Sequence, residues 1–207
     1  MTPAECYNGL LAQKLIEEFE KRNMEGHYCK TKEDALKKLT ELIPKGSVVS
    51  YGGSLTLKEM GAIEAFHNGD YRFLDPNAVT GAKEKERVAH EALAADYFLM
   101  SANAITMAGE LVNADGIGNR VGALCFGPKH VMIVAGMNKV EPNLDSAIQR
   151  VKTKTAQQCL TLFRQDYASF DELRQSAERI ISQLVITNMA TMKGRIKIIL
   201  VDENLGM

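Results

Sequence analysis

The strongest constraint on the fold is an alternation between short apolar runs typical of β-strands and amphipathic segments with helical spacing. Leu11, Leu15 and Phe19 recur at helical spacing after a Thr-Pro helix start, and the β-branched run 47–51 reads as a compact strand. The same pattern of strand and helix returns up to the run 196–201. Strands that alternate with helices of about 10 to 15 residues indicate an α/β sheet with mostly parallel, buried strands.

The middle of the chain breaks this alternation. Four short strand-like runs, separated by Gly, Asn and Asp, lie at 97–101, 110–113, 122–126 and 131–135. They predict some antiparallel pairing within the mixed sheet, with hairpins around Asp115-Gly116. The sequence contains no internal repeat and no low-complexity linker, so we expect a single domain over residues 1–207.

Composition excludes several classes of protein. The 25 Lys and Arg nearly cancel the 26 Asp and Glu, and there is no Trp, so nothing favours a nucleic-acid partner. The apolar runs are too short to cross a bilayer, and the first residues lack the basic start of a secretory signal. We therefore expect a soluble, cytoplasmic protein.

The cysteines are too far apart to form a C-x-x-C pair, which argues against a zinc site and for reduced thiols. They are Cys6, Cys29, Cys125 and Cys159. The sequence indicates no bound metal and no cofactor.

A first candidate site is the turn Gly52-Gly53-Ser54, which joins the strand 47–51 directly to a helical pattern. Glycines allow a ligand to approach the backbone closely, and Ser54 can cap the helix whose first amide groups attract an anion. The sequence therefore predicts a phosphate or carboxylate site here. The alternative is an ordinary tight turn with a helix cap.

A second candidate is the polar stretch 101–120, where many hydrogen-bonding side chains adjoin strands that we expect to be buried. Glu110 is a candidate nucleophile or general base, and Arg120 could hold a carboxylate with both terminal nitrogens. The other candidate ligand-binding residues are Asn103, Thr106, Asn113, Asp115 and Asn119. The alternative is a polar, turn-rich hairpin.

Lys139 is a third candidate because it follows the strand 131–135, at the edge where open α/β sheets bind ligands. Such a lysine could meet an anion. The alternative is an ordinary surface lysine, since lysine is seldom buried.

Three segments resemble the lactate-utilisation (LUD) domain family, within the superfamily of sugar-phosphate isomerases and CoA transferases. They are SYGGSLTLKEMG at 50–61, SANAITMAGELVNADGIGNRVGALCFGPKHVMIVAGMNKV at 101–140, and ITNMATMKGRIKIILVDENLG at 186–206. The resemblance implies a Rossmann-like mixed, mostly parallel sheet flanked by helices. It also implies a cytoplasmic location and a link to lactate oxidation by iron–sulfur proteins.

The resemblance also suggests roles for residues. In the superfamily, the glycine-rich turn contacts phosphate or CoA, and Gly52, Gly53 and Ser54 match that turn. Glu110 lies near the acidic residue that performs the chemistry. Some family members carry a cysteine-rich segment before the last two strands, but this chain keeps only Cys159 there. A metal cluster is therefore not expected.

These observations predict a protein of lactate or organic-acid utilisation that binds a small anionic metabolite. Two alternatives stay open: a non-catalytic subunit or assembly partner of an iron–sulfur lactate-oxidising complex, and an enzyme resembling sugar-phosphate isomerases or CoA transferases. The sequence does not decide whether the chain is catalytic. The partners to consider are the metabolite, the iron–sulfur proteins and a second copy of the chain.

Overall fold

The computed structural model describes residues 2–207 and contains ten strands and nine α-helices within that range. The helices are α1 (Pro3–Lys21), α2 (Lys32–Leu42), α3 (Leu55–Glu59), α4 (Ala62–Asn68), α5 (Ala82–Ala92), α6 (Asn119–Cys125), α7 (Leu144–Arg150), α8 (Ala156–Thr161) and α9 (Phe170–Glu178). The strands are β1 (Glu25–Cys29), β2 (Val48–Tyr51), β3 (Arg72–Leu74), β4 (Tyr97–Met100), β5 (Ala104–Thr106), β6 (Leu111–Asp115), β7 (His130–Gly136), β8 (Val140–Glu141), β9 (Gln183–Thr187) and β10 (Ile196–Val201).

Six strands form a parallel sheet in the order β1-β10-β7-β4-β2-β3. β7 lies near its centre and is buried from Val131 to Gly136, as expected for a strand covered on both faces. Because all six strands run the same way, their carboxyl ends meet at one edge. The segments that follow β2, β4, β7 and β10 therefore lie close together.

The two faces of this sheet carry separate apolar clusters, as the alternation along each strand requires. In β10, Ile196, Ile198 and Leu200 pack in the cluster that contains α1, whereas Ile199 and Val201 pack in the cluster that contains α2, α3 and α4. Threonine or serine caps begin several of the helices. Thr2 forms a capping box with Glu5, and Thr31 accepts a hydrogen bond from the amide of Asp34.

A second sheet of four strands, in the order β8-β5-β6-β9, holds the antiparallel pairing predicted for the middle of the chain. β6 pairs antiparallel with β5 and with β9, whereas β5 and β8 are parallel. Its apolar face packs against α7 through Ala104, Val112 and Ala147. The mixed, mostly parallel α/β architecture therefore agrees with the sequence prediction.

Two details of the predicted middle region are wrong. The run 122–126 lies mostly in α6 and not in a strand, because Asp115 caps that helix and Gly118 precedes it with a left-handed backbone (φ 92°). The β5–β6 hairpin turns at residues 106–110 and not at Asp115-Gly116, where β6 leads into α6. Glycine at 109, with φ of 86°, supplies the left-handed residue of that turn.

None of the helices within residues 2–207 is long and apolar enough to span a membrane.

Candidate functional site

A cavity of about 470 Å³ lies at the carboxyl edge of the parallel sheet. Its walls come from the turn after β2, the residues after β4, Lys139 after β7, and the end of β6 with the start of α6. Val151, Thr155 and Cys159 cover it from the α7–α8 segment. Its mouth reaches the surface at Ile117 and Phe163, which are 87% and 82% exposed. The volume is in the range of small-molecule sites.

Lys139 lies in this cavity and is buried, with only 4% of its surface exposed. Its Nζ donates to Thr56 Oγ1 at 2.9 Å and to Ser101 Oγ at 2.8 Å. Burial, followed by the positive charges of Arg150 and Arg120, lowers the pKa of Lys139 to about 7, and Glu59 acts in the opposite direction. The alternative of an ordinary surface lysine is therefore wrong.

Arg120, from the first turn of α6, spans the space between the two sheets. One terminal nitrogen donates to the Ser101 carbonyl at 3.1 Å and to Asn113 Oδ1 at 3.0 Å. The other donates to Asn103 Oδ1 at 2.9 Å and to the Ala114 carbonyl. All four acceptors are neutral, so Arg120 keeps its full positive charge beside the cavity. Because both terminal nitrogens already donate twice, they cannot form the predicted bidentate hydrogen bonds to a ligand carboxylate.

Gly52 lies outside the cavity wall and contacts Arg120 instead of a ligand. A Cβ atom built on Gly52 would lie 2.7 Å from both Cγ and Cδ of Arg120, and the Gly52 amide donates to the Leu99 carbonyl at 3.0 Å. The first glycine of the turn therefore makes room for the arginine stem.

Gly53 and Ser54 do line the cavity. No described residue lies within 4 Å of the position that a Gly53 Cβ would occupy, so a ligand can approach the backbone there. Ser54 Oγ accepts from the amide of Leu57 at 3.3 Å and caps α3, as expected.

The polar stretch 101–120 supplies the opposite wall. Asp115 lines the cavity, but its carboxylate accepts hydrogen bonds from the amides of Ile117, Arg120 and Val121. Asn103 also lines it, and its Oδ1 accepts from the Ala114 amide as well as from Arg120. Asn119 completes this group of predicted residues at the cavity.

Besides Gly52, three more predicted residues lie outside the cavity wall. Thr106 and Glu110 form the β5–β6 turn, where the Thr106 hydroxyl donates to the Glu110 carboxylate at 2.9 Å. Asn113 is fully buried behind Arg120, and its Nδ2 has no hydrogen-bond partner among residues 2–207. The structure thus separates Glu110, the candidate nucleophile, from the candidate residues that line the cavity.

Arg150 is a third buried cation near the cavity that the sequence pattern did not identify. It donates to the Asn103 carbonyl at 2.6 Å and to Thr155 Oγ1 at 2.8 Å, and its Nε lies 3.5 Å from Glu141. Its position at the end of an amphipathic helix resembles that of many exposed arginines, so the sequence contains no signal for its burial.

Thr56 and Ser101 are two further residues missed as ligand-site candidates. Thr56 is the second residue of α3, after the turn that follows β2, and Ser101 comes directly after β4. Placed beside Lys139 in space, they become the acceptors of its amine.

The charges around the cavity do not balance. Glu141 is paired with Arg150, and Asp115 is held by backbone amides, whereas Lys139 and Arg120 form no ion pair with any carboxylate in the described part of the chain. Burial lowers the pKa of both Arg120 and Arg150, while the nearby carboxylates of Asp115 and Glu141, respectively, act in the opposite direction. Both arginines stay protonated. Because buried charge without a counter-ion is unfavourable, this arrangement suits an anion.

The LUD-domain family model matches residues 12–201 of the chain. Among solved structures, the chain is similar to a crystal structure of a DUF162 family protein from Deinococcus radiodurans, with a TM-score of 0.56 and 9% sequence identity. That match covers 94% of this chain and 98% of the other, and at such low identity it shows the fold alone. No curated protein matches the sequence.

Proposed function

Because the chain belongs to the LUD-domain family, we propose that it binds a small organic anion of lactate-utilisation type in the cavity beside Lys139. The observation that carries the proposal is the pair of cations, Lys139 and Arg120, that lacks a carboxylate partner within residues 2–207. A bound carboxylate or phosphate would supply the missing negative charge.

The two cations contribute differently. Arg120 acts through its charge and through the residues that it positions, because its terminal nitrogens are occupied. Lys139 lines the cavity, and its Nζ is bonded only to the hydroxyls of Thr56 and Ser101, so we expect it to contact the anion directly. The backbone at Gly53, which is open to the cavity, can receive a second part of the ligand.

Titration calorimetry with lactate, pyruvate and sugar phosphates tests the proposal. We expect at least one of these anions to bind, and Lys139→Met to weaken that binding about tenfold or more, since a desolvated charge pair is lost. Lys152→Met is the matched control, because it removes the same charge from an exposed residue of the adjacent helical turn.

Equal affinities of the Lys139→Met and Lys152→Met variants would remove Lys139 from the binding site. Absence of binding by every anion in the panel would overturn the proposal itself.

A further inference from the structure

The hydrogen bonds around Lys139 leave one position on its amine nitrogen without a hydrogen-bond partner among the described residues, beside Gly206, where an added Cβ would lie 3.2 Å from Nζ. The Thr56 and Ser101 hydroxyls lie 2.9 and 2.8 Å from Nζ. Each hydroxyl directs its own hydrogen to a backbone carbonyl, of Leu205 and Ala102 respectively, at 3.4 Å. Both hydroxyls therefore accept from Lys139. A neutral amine has two N–H bonds, so these contacts use both of them and leave the lone pair without a partner among the described residues.

The surroundings also lower the pKa of Lys139 enough for the neutral amine to coexist with the cation that attracts the anion. Arg150 and Arg120 add positive charge nearby, and the amine is buried between α3 and the residue after β4. A lysine with a pKa of about 7 is unprotonated in a large fraction of molecules at neutral pH. Buried lysines of this kind act as nucleophiles toward carbonyl groups.

We infer that Lys139 forms a Schiff base with the keto group of a 2-oxo carboxylate bound in the cavity. The inference rests on the proposed function, because the carboxylate group is the anion and the adjacent carbonyl is the reacting group. Arg120, which forms no ion pair with a carboxylate among the described residues, supplies the positive field for the ligand carboxylate. Lys139 supplies the nucleophile.

The step balances without an oxidant, a reductant or a further reactant. The Nζ lone pair attacks the carbonyl carbon, the C=O π bond breaks toward oxygen, and a proton passes from nitrogen to that oxygen to give a carbinolamine. Uptake of one proton from solvent then allows the hydroxyl group to leave as water, and the nitrogen lone pair forms the C=N bond of a protonated imine. A 2-hydroxy acid such as lactate has no carbonyl carbon beside its carboxylate, and cannot take this path.

The test is reductive trapping on the full chain. The protein is incubated with pyruvate or 2-oxoglutarate and sodium cyanoborohydride, and the modified residue is located by peptide mass mapping. We expect one reduced adduct on Lys139, formed ahead of any adduct on exposed lysines such as Lys58 and Lys152. Lactate in place of the 2-oxo acid leaves Lys139 unmodified.

Lys139→Arg is the conservative variant, since it keeps a cation and hydrogen-bond donors but cannot form an imine. It is expected to lose the adduct while retaining the circular dichroism spectrum of a folded protein. If the variant does not fold, peptide mass mapping of the unmodified sequence still tests the proposal by itself. Pyruvate that binds by calorimetry without an adduct on Lys139 overturns the Schiff base and leaves the proposed function intact.

Adducts confined to exposed lysines overturn the Schiff base as well, and so does the absence of any adduct with both 2-oxo acids. Failure of the proposed function is a separate result, because it is the absence of binding by lactate, pyruvate and sugar phosphates alike.

Discussion

Gly52 and Arg120 are in such close contact that the position of a Gly52 Cβ lies 2.7 Å from two carbons of the arginine stem. The guanidinium group beyond that stem is fixed by hydrogen bonds to Asn103, Asn113 and two carbonyls. The arginine therefore cannot move aside without breaking the bonds that join the parallel sheet to the second sheet. A residue that resembles a ligand-binding glycine has a packing role in this fold.

Gly52→Ala is accordingly expected to lower the free energy of unfolding by about 1 to 3 kcal/mol, the usual range for overpacking a fixed interior. Gly53→Ala is the matched control, because the space around its Cβ position is open. Urea denaturation of both variants measures the difference. Equal stability of the Gly52→Ala and Gly53→Ala variants would show that the Arg120 side chain shifts at little cost in free energy.

The buried amine of Lys139 predicts a pH dependence of stability. Its pKa is about 7 in the folded chain and 10.5 in its ordinary state, so between these values the unfolded chain binds more protons. Stability must then rise with pH in that window. The groups that face the amine are Thr56, Ser101, Arg120 and Arg150, with Glu59 at longer range.

Urea denaturation from pH 6 to 9 of the unmodified sequence and of Lys139→Met isolates this contribution. The variant should be the more stable at pH 6. Above pH 7, the free energy of unfolding of the unmodified sequence should rise relative to that of the variant by up to about 1.4 kcal/mol per pH unit. Parallel stability curves would mean that Lys139 titrates at its ordinary pKa.

Asn113→Asp tests the charge on Arg120. The change replaces an amide, whose Nδ2 is unpartnered within residues 2–207, by a carboxylate at the atom that already accepts from Arg120 at 3.0 Å. The pair would neutralise the arginine, so we expect any anion that binds the cavity to lose about tenfold in affinity.

Calorimetry at pH 7 on the variant and on the unmodified sequence measures the change in affinity. Unchanged anion affinity would contradict a role for the Arg120 charge.

Glu110→Gln tests whether Glu110 belongs to the ligand site. Glu110 lies in the β5–β6 turn and accepts from Thr106, outside the cavity wall. We expect the variant to bind anions with unchanged affinity, and calorimetry beside the unmodified sequence measures this. A large loss of binding would restore Glu110 as a ligand-site residue.

Much of the fold could be predicted from sequence because the parallel strands are nearly continuous apolar runs bounded by turns, as at 47–51, 131–135 and 196–201. The strand prediction for 122–126 is wrong because the apolar residues of that run, among them Ala123, Leu124 and Phe126, also fit a short strand. Only the distant cap from Asp115 and the left-handed Gly118 settle it as a helix.

The site could be predicted in part for the same reason. Gly53, Ser54 and Lys139 follow strands whose carboxyl ends share an edge, so their proximity follows from a parallel sheet. Arg150 and the Thr56–Ser101 pair could not be found, because their roles depend on contacts between segments 38 to 83 residues apart.

The turn Val151–Thr155 between α7 and α8 is π-helical, with each amide bonded one residue further back than in an α-helix. This wider turn lets Arg150 donate to Thr155, five positions ahead, from the same side of the helix. A π turn takes one residue more than an α turn to complete the same rotation, so the segment holds an extra residue without changing which side of the helix faces the cavity. The spare residue therefore serves the Arg150–Thr155 contact, while Val151, Thr155 and Cys159 all stay on the side that covers the cavity.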